Sequence, residues 1–311
     1  MNEKFSYNST LKTDPENSFL NLQQFLFVTS KQLTKFFYYT RVTPHQVILL
    51  SLIFGIAASY LFVLPGKYYA VGGAVLLFYK NVLDKVDGSL ARAKGLDSRR
   101  GRFYDSISDF IVTFTSFAAI SYNLYLRWDS YLAFVVGFAA MICSMLHCSY
   151  FIFYQVSFIR STGKNTQNRL IENVTPQDIA TQDKLTTFLQ RVFQLIYGWQ
   201  DKLMFKMDNY LLRRLSKTVQ SKGTLSMSQS EMRNPASAGQ TTQTTQAWYQ
   251  NKPFLTLASS LSIGTHIFLI CISAIIGRFD YYIFVNLILM NLLLILSVVY
   301  HYRSTINKLK S

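Results

Sequence analysis

Six long runs of mostly apolar residues lie along the chain, at about 44–64, 68–90, 103–125, 130–156, 254–276 and 280–301. A helix needs roughly 20 such residues to cross the hydrocarbon of a bilayer. Within lipid the backbone has no water to bond, so a single apolar segment crosses as a helix. The pattern predicts an all-α integral membrane protein, a bundle of six transmembrane helices. The first run begins far from the N-terminus and lacks a small-residue cleavage site, so it is expected to be a span and not a signal peptide.

Polar stretches divide the rest. Residues 1–17 are polar and are expected to be disordered. Residues 18–42 mix Phe19, Leu20, Phe25, Leu26, Leu33, Phe36 and Phe37 with Gln23, Gln24, Lys31, Gln32 and Lys35, which suits an amphipathic helix lying on the membrane surface. Spans one to four then fill 43–157, and 158–253 is a long insertion before spans five and six in 254–303. Inside the insertion, Leu185, Phe188, Leu189, Val192, Phe193, Ile196, Trp199 and Leu203 recur at helical spacing, predicting one or two amphipathic helices over 183–215. Residues 216–247 are rich in Ser, Thr and Gln and read as a disordered linker, and 304–311 as a short tail.

Composition agrees with a membrane protein: half the residues are hydrophobic and only 15% are charged, against about a quarter in soluble domains. The net charge is +15. These cations gather in alternate connections: Arg92, Lys94, Arg99, Arg100 and Arg102 in one, and thirteen Lys and Arg residues across 158–253 in another. The remaining connections hold little more than Lys67, Arg127 and Arg278. Positive connections stay on the cytoplasmic side, which puts both termini and both basic loops there, facing membrane lipids. No zinc, RNA-binding or helix-turn-helix pattern accompanies the charge, so no nucleic-acid partner is expected. Cys143, Cys148 and Cys271 lie inside apolar runs and match no disulfide or zinc spacing.

The chemistry is concentrated in 84–109. Asp84 and Asp87 are three apart and share a helix face at the end of the second run. Asp105 and Asp109 are four apart and open the third. The loop between them is short, so four carboxylates are expected to meet at the membrane edge. Like charges this close repel, and burial near lipid raises the cost. Cations must balance them, and an all-oxygen ligand set favours Mg²⁺, Mn²⁺ or Ca²⁺. Paired divalent ions suit phosphoryl transfer, one supporting the leaving oxygens and one the attacking oxygen. Gly88 and Ala91 leave room for a bulky group such as a nucleotide, and Arg92 can hold phosphate. Any one of these aspartates is commonly just a solvated helix end; four at this spacing, with Gly, Ala and Arg between, are not.

The arrangement Asp84-x2-Asp87-Gly88-x2-Ala91-Arg92-x8-Gly101-x3-Asp105-x3-Asp109 resembles the signature of the CDP-alcohol phosphatidyltransferases, complete at every position. The resemblance implies that Asp84, Asp87 and Asp105 ligate two Mg²⁺ or Mn²⁺ ions together with Asp109. It implies that Asp109 accepts the proton of the attacking hydroxyl. It further implies that Gly88 and Ala91 make space for cytidine, that Arg92 and Gly101 lie along the nucleotide, and that the protein is a homodimer. The expected reaction moves a phosphatidyl group from CDP-diacylglycerol to a small polar alcohol and releases CMP. The motif serves equally a CDP-choline or CDP-ethanolamine donor with diacylglycerol as acceptor. Six spans favour the former, and the insertion at 158–253 departs from compact members of the family. A lipid-binding scaffold without catalysis is the non-enzymatic alternative, and the intact tetrad argues against it.

Weaker signals remain. Ser259, Ser260, Ser262, Gly264, Thr265 and His266 make the fifth run unusually polar. Intramembrane polar residues commonly line cavities, which makes Ser262, Thr265 and His266 candidates for the acceptor pocket. Small residues that pack helices together account for the same pattern equally well. Asn81 stands one turn before Asp84, and His45 replaces the asparagine that family members commonly carry after the proline at the start of the first span.

Overall fold

The computed structural model describes Thr10 and residues 27–163, 168–220 and 243–309. They are almost entirely helical, with no strand among them. In order come α1 (Phe27–Tyr38), α2 (Pro44–Val63), α3 (Lys67–Ala93), α4 (Arg99–Trp128), α5 (Leu132–Ser161), the short α6 (Pro176–Thr181), α7 (Lys184–Gln220), α8 (Gln243–Tyr249), α9 (Lys252–Ser259), α10 (Ile263–Ile276), α11 (Phe279–Phe284), a π-helical segment (Val285–Met290) and α12 (Asn291–Lys308).

Four helical stretches are long and apolar enough to cross a membrane: Pro44–Val63, Leu132–Ser161, Gln243–Ile276 and Phe279–Lys308. Their apolar side chains face outward to an extent no soluble bundle tolerates. Only 28% of the most apolar window of Phe279–Lys308 is buried, and Phe138, Leu292, Ile295 and Leu296 are exposed. Large exposed apolar surface marks a membrane contact, so the chain is a membrane protein. The expected second and third spans, α3 and α4, have 27 and 30 residues. At 1.5 Å per residue they are about 40 and 45 Å long, enough to cross. They fall short in apolarity because they carry the charged motif.

Close packing is built on small residues. A Cβ on Gly55 of α2 would collide with Val112 of α4, and one on Gly137 of α5 with Ser121 of α4. Without a hydrophobic drive between helices in lipid, such close approach and interhelical hydrogen bonds hold the bundle. Ser59 of α2 accordingly bonds Thr115 (3.1 Å) and Ser116 (3.0 Å) of α4. α2 packs along both α3 and α4, so it aligns the two motif helices. Its start is set by Thr43, which accepts from the Gln46 amide while the Gln46 side chain accepts from the Thr43 amide, with Pro44 at the first helical position.

The structure refines the expected elements in four places. The fifth run is broken between α9 and α10, where Ser259 bonds the Thr256 carbonyl (2.7 Å) and Ser262 the Ser259 carbonyl (2.5 Å). Such local side-chain bonds compete with the helical ladder. The sixth run contains the π-helical segment, whose freed carbonyls at Asn286 and Leu287 accept from the Asn291 amide. The amphipathic stretch expected over 183–215 is one continuous helix, α7, that runs on to Gln220. The expected linker 216–247 is helical at both ends, in α7 and α8, and 221–242 lies outside the described residues. Most of the expected disordered N-terminus, 1–17, and of the stretch preceding α1 also lies outside them.

Candidate active site

α3 and α4 bring the motif together from the residue level upward. Ligand oxygens of Asp84, Asp105 and Asp109 lie within 4.8 Å of one another. Asp87 is buried beside them, and its Oδ2 has no hydrogen-bond partner. A buried carboxylate oxygen without a donor is costly, and a cation is the partner that would relieve it. The all-oxygen set fits a hard divalent ion. Of the four aspartates expected to meet, the fold brings the ligand oxygens of three, Asp84, Asp105 and Asp109, into one group.

The structure adds a residue to the cluster. Lys80, one turn before Asp84, is 1% exposed. Its Nζ lies 3.0 Å from Asp84 Oδ1 and is ion-paired with Asp109 Oδ1. The Lys80 carbonyl accepts from Ser51 Oγ of α2 at 3.3 Å, tying the backbone at this level to the neighbouring helix.

The small residues of the motif lie beside polar side chains of the same segment. A Cβ on Gly88 would stand 3.4 Å from the Arg92 guanidinium, which folds back over this glycine. Arg92 Nε donates to the Thr10 carbonyl at 2.8 Å. Ala91 is buried. The Gly101 amide donates to Ser98 Oγ (3.1 Å), capping the start of α4. A Cβ on Gly101 would meet both this hydroxyl and, at 3.8 Å, the Nε2 of His45. The His45 ring in turn meets Tyr104 edge-on.

The insertion closes on the same end of α4. Phe103 packs with Leu189 and Phe193 of α7, and Tyr197 Oη donates to the Ser106 carbonyl at 3.0 Å. Burial, and then the Asp109 carboxylate, pushes this phenol well above its ordinary range, so it remains a donor. Glu172 accepts from Arg99 (2.8 Å) and is ion-paired with Arg102 (2.5 Å). Arg169 forms a two-pronged pair with Asp178 at 2.8 and 2.7 Å. That pair and the Thr175 cap hold Asp178 well below the ordinary carboxylate range. Farther along α7, Asp208 is buried and accepts from Trp248 (2.8 Å) and Tyr249 (2.6 Å) of α8.

The three residues singled out for an acceptor pocket sit at the start of α10. His266 Nδ1 is 3.1 Å from the Tyr282 hydroxyl, and its ring stacks on His147. Ser262 bonds the Ser259 carbonyl and lies 3.4 Å from the Thr265 hydroxyl.

Lys80, Ser51, Tyr197 and Glu172 went unread in the sequence. Lys80 alone left a signal there: a lysine inside an apolar run, one helical turn before the first aspartate. Tyr197 and Glu172 are ordinary surface residues until the insertion folds onto α4.

The fold is an all-helical membrane bundle in which clustered carboxylates stand beside Gly88, Ala91 and Arg92 of the same motif. The chain belongs to the CDP-alcohol phosphatidyltransferase family, whose model matches residues 41–216. It is similar to the archaetidylinositol phosphate synthase of Pyrococcus horikoshii, 33% identical over 88 residues, which are 28% of this chain and 45% of that protein. It is also similar to the bifunctional IPC transferase and DIPP synthase of Aquifex aeolicus, 29% identical over 89 residues, covering 29% of this chain and 20% of that protein. The chain thus spans less than half the length of either relative.

Proposed function

We propose that the protein transfers a phosphatidyl group from CDP-diacylglycerol to the hydroxyl of a small polar alcohol, releasing CMP. The convergence of Asp84, Asp105 and Asp109 within 4.8 Å, with Asp87 Oδ2 unpartnered beside them, carries this reading. The family match and the curated relatives support it, and the name of the Pyrococcus protein makes an inositol phosphate the first acceptor to try.

Asp84, Asp87, Asp105 and Asp109 would hold two divalent ions, Mg²⁺ or Mn²⁺. Bound there, such ions would supply charge neutralisation for the donor diphosphate and Lewis-acid polarisation of its phosphorus. Gly88 and Ala91 let the nucleotide lie against α3, and Arg92 turns from the Thr10 carbonyl to phosphate oxygen. The acceptor oxygen forms a bond to the β-phosphorus as the bond from that phosphorus to the bridging oxygen breaks. Asp109 takes the hydroxyl proton, and CMP carries away the bridging oxygen. With α3 and α4 crossing the bilayer as the second and third of six spans, the carboxylates stand at its cytoplasmic edge. The lipid donor then enters from the side and the polar acceptor from water.

The test follows CMP release by purified protein in detergent with Mg²⁺ or Mn²⁺, across CDP-diacylglycerol, CDP-choline and CDP-ethanolamine. Release is expected from CDP-diacylglycerol with an alcohol acceptor. It is expected to fall at least about 100-fold in Asp109→Asn, the range that general acid–base groups contribute, and to fall likewise in Asp105→Asn, which weakens a metal-holding carboxylate. Release only from the CDP-amino alcohols with diacylglycerol would transfer the protein to the other branch of the family. No release from any donor would leave a lipid-binding scaffold.

A further inference from the structure

The carboxylate cluster already contains a cation. Lys80 reaches Asp84 and Asp109 at once, the first aspartate of one helix and the last of the next. The lysine is 1% exposed, while the side chains of Asp84 and Asp109 are 20% and 18% exposed. The ammonium therefore sits on the dry side of the cluster, and the carboxylates open on the other. Its helix is tied in place at this residue by the bond from Ser51. A cation in a poorly screened site raises the cost of a second positive charge a few ångströms away.

We propose that Lys80 is a resident cation of the cluster, occupying a position that Asp84 and Asp109 would otherwise offer to a divalent ion. This inference rests on the metal reading above. It makes the two ions unequal. One binds to the carboxylate oxygens remote from Lys80. The other binds only against the ammonium, and so weakly until the anionic donor arrives with its own negative charge. Lys80 thus acts as a positioning residue: it keeps Asp84 and Asp109 together before any ion is bound, and it sets the affinity for the second ion.

Mn²⁺ titration of the purified full chain, read by the paramagnetic resonance of free Mn²⁺ and without nucleotide, tests this. The wild type is expected to show one tighter and one weaker ion. Lys80→Met should tighten the weaker ion by about tenfold or more, and Lys80→Arg, which keeps the charge, should leave it near the wild-type value. Thermal unfolding gives an independent reading: Mn²⁺ should raise the melting temperature more in Lys80→Met than in the wild type. Lys80→Gln, which retains a donor for the carboxylates, replaces the methionine variant if that chain does not accumulate in folded form. Unchanged or weaker Mn²⁺ binding on loss of the charge would overturn the inference alone. Absence of Mn²⁺ binding in the wild type and every variant would overturn it together with the metal reading.

Discussion

At the scale of single residues, the site shows how burial converts ordinary side chains into committed ones. Asp201 on α7 is an example away from the carboxylate cluster. Burial first, and then the neighbouring Glu172, raise its pKa to about 7, with Arg102 opposing. In the unfolded chain this carboxyl loses its proton near pH 4; in the folded protein it keeps it to about pH 7. Between those values the folded state binds the extra proton, so the contribution of Asp201 to stability falls as pH rises from about 4 to about 7 and is level above that. Asp201→Asn removes the titration. Its melting temperature is expected to change less across this window than that of the wild type, which unfolding curves at pH 5, 6 and 7 would show. An unaltered slope would mean that Asp201 ionises normally in the fold.

At the scale of elements, the insertion serves as a brace for the motif helix. The turn before α6 presents Glu172 to Arg99 and Arg102 at the start of α4, where all three side chains are largely buried. Removing one member of such a group leaves the others charged and unpaired, at a cost of about 3–5 kcal/mol. Glu172→Ala is therefore expected to lower the unfolding temperature strongly in detergent. It should also loosen the start of α4, seen as faster amide exchange around residues 99–105. Glu172→Gln, which can still accept one bond, should fall between. Amphipathic spacing over 183–215 was plain in the sequence, but it said only that one face is apolar. That Leu189 and Phe193 of this face cover Phe103 of α4, while Leu185, Phe188, Trp199 and Leu203 stay exposed, depends on contacts between segments some 90 residues apart.

At the scale of the whole molecule, charge distribution sets the proposed orientation. The basic connection between α3 and α4 and the basic insertion belong on one side, and the turns at Asp129 and Gly277 on the other. Those two turns are joined by Arg127, which bonds Asp280 (3.1 Å) and the Gly277 carbonyl (2.8 Å). The positive-inside tendency leads to a direct expectation. In sealed cells a membrane-impermeant thiol reagent should label Ser130→Cys from outside, and Leu96→Cys only after the membrane is opened. The reverse pattern would invert the topology and move the site to the other face.

The sequence by itself determined the membrane class, the helical composition and the carboxylate motif, because apolar run length and helical spacing are local properties of the chain. Asp84 and Asp87 share one face of α3, and Asp105 and Asp109 one face of α4, wherever those helices go. Tertiary structure decided what stands opposite them. Lys80 became a partner of Asp109 only when α3 and α4 came together, and Glu172 became a clamp only when the insertion met α4. The break at Ser259–Ser262 fell among the polar residues of the fifth run, and the π-helical turn at Val285–Met290 lay within the sixth. Hydropathy measures how gladly a segment leaves water; it does not record where side-chain hydroxyls and amides take carbonyls from the backbone ladder, and that competition shaped both helices.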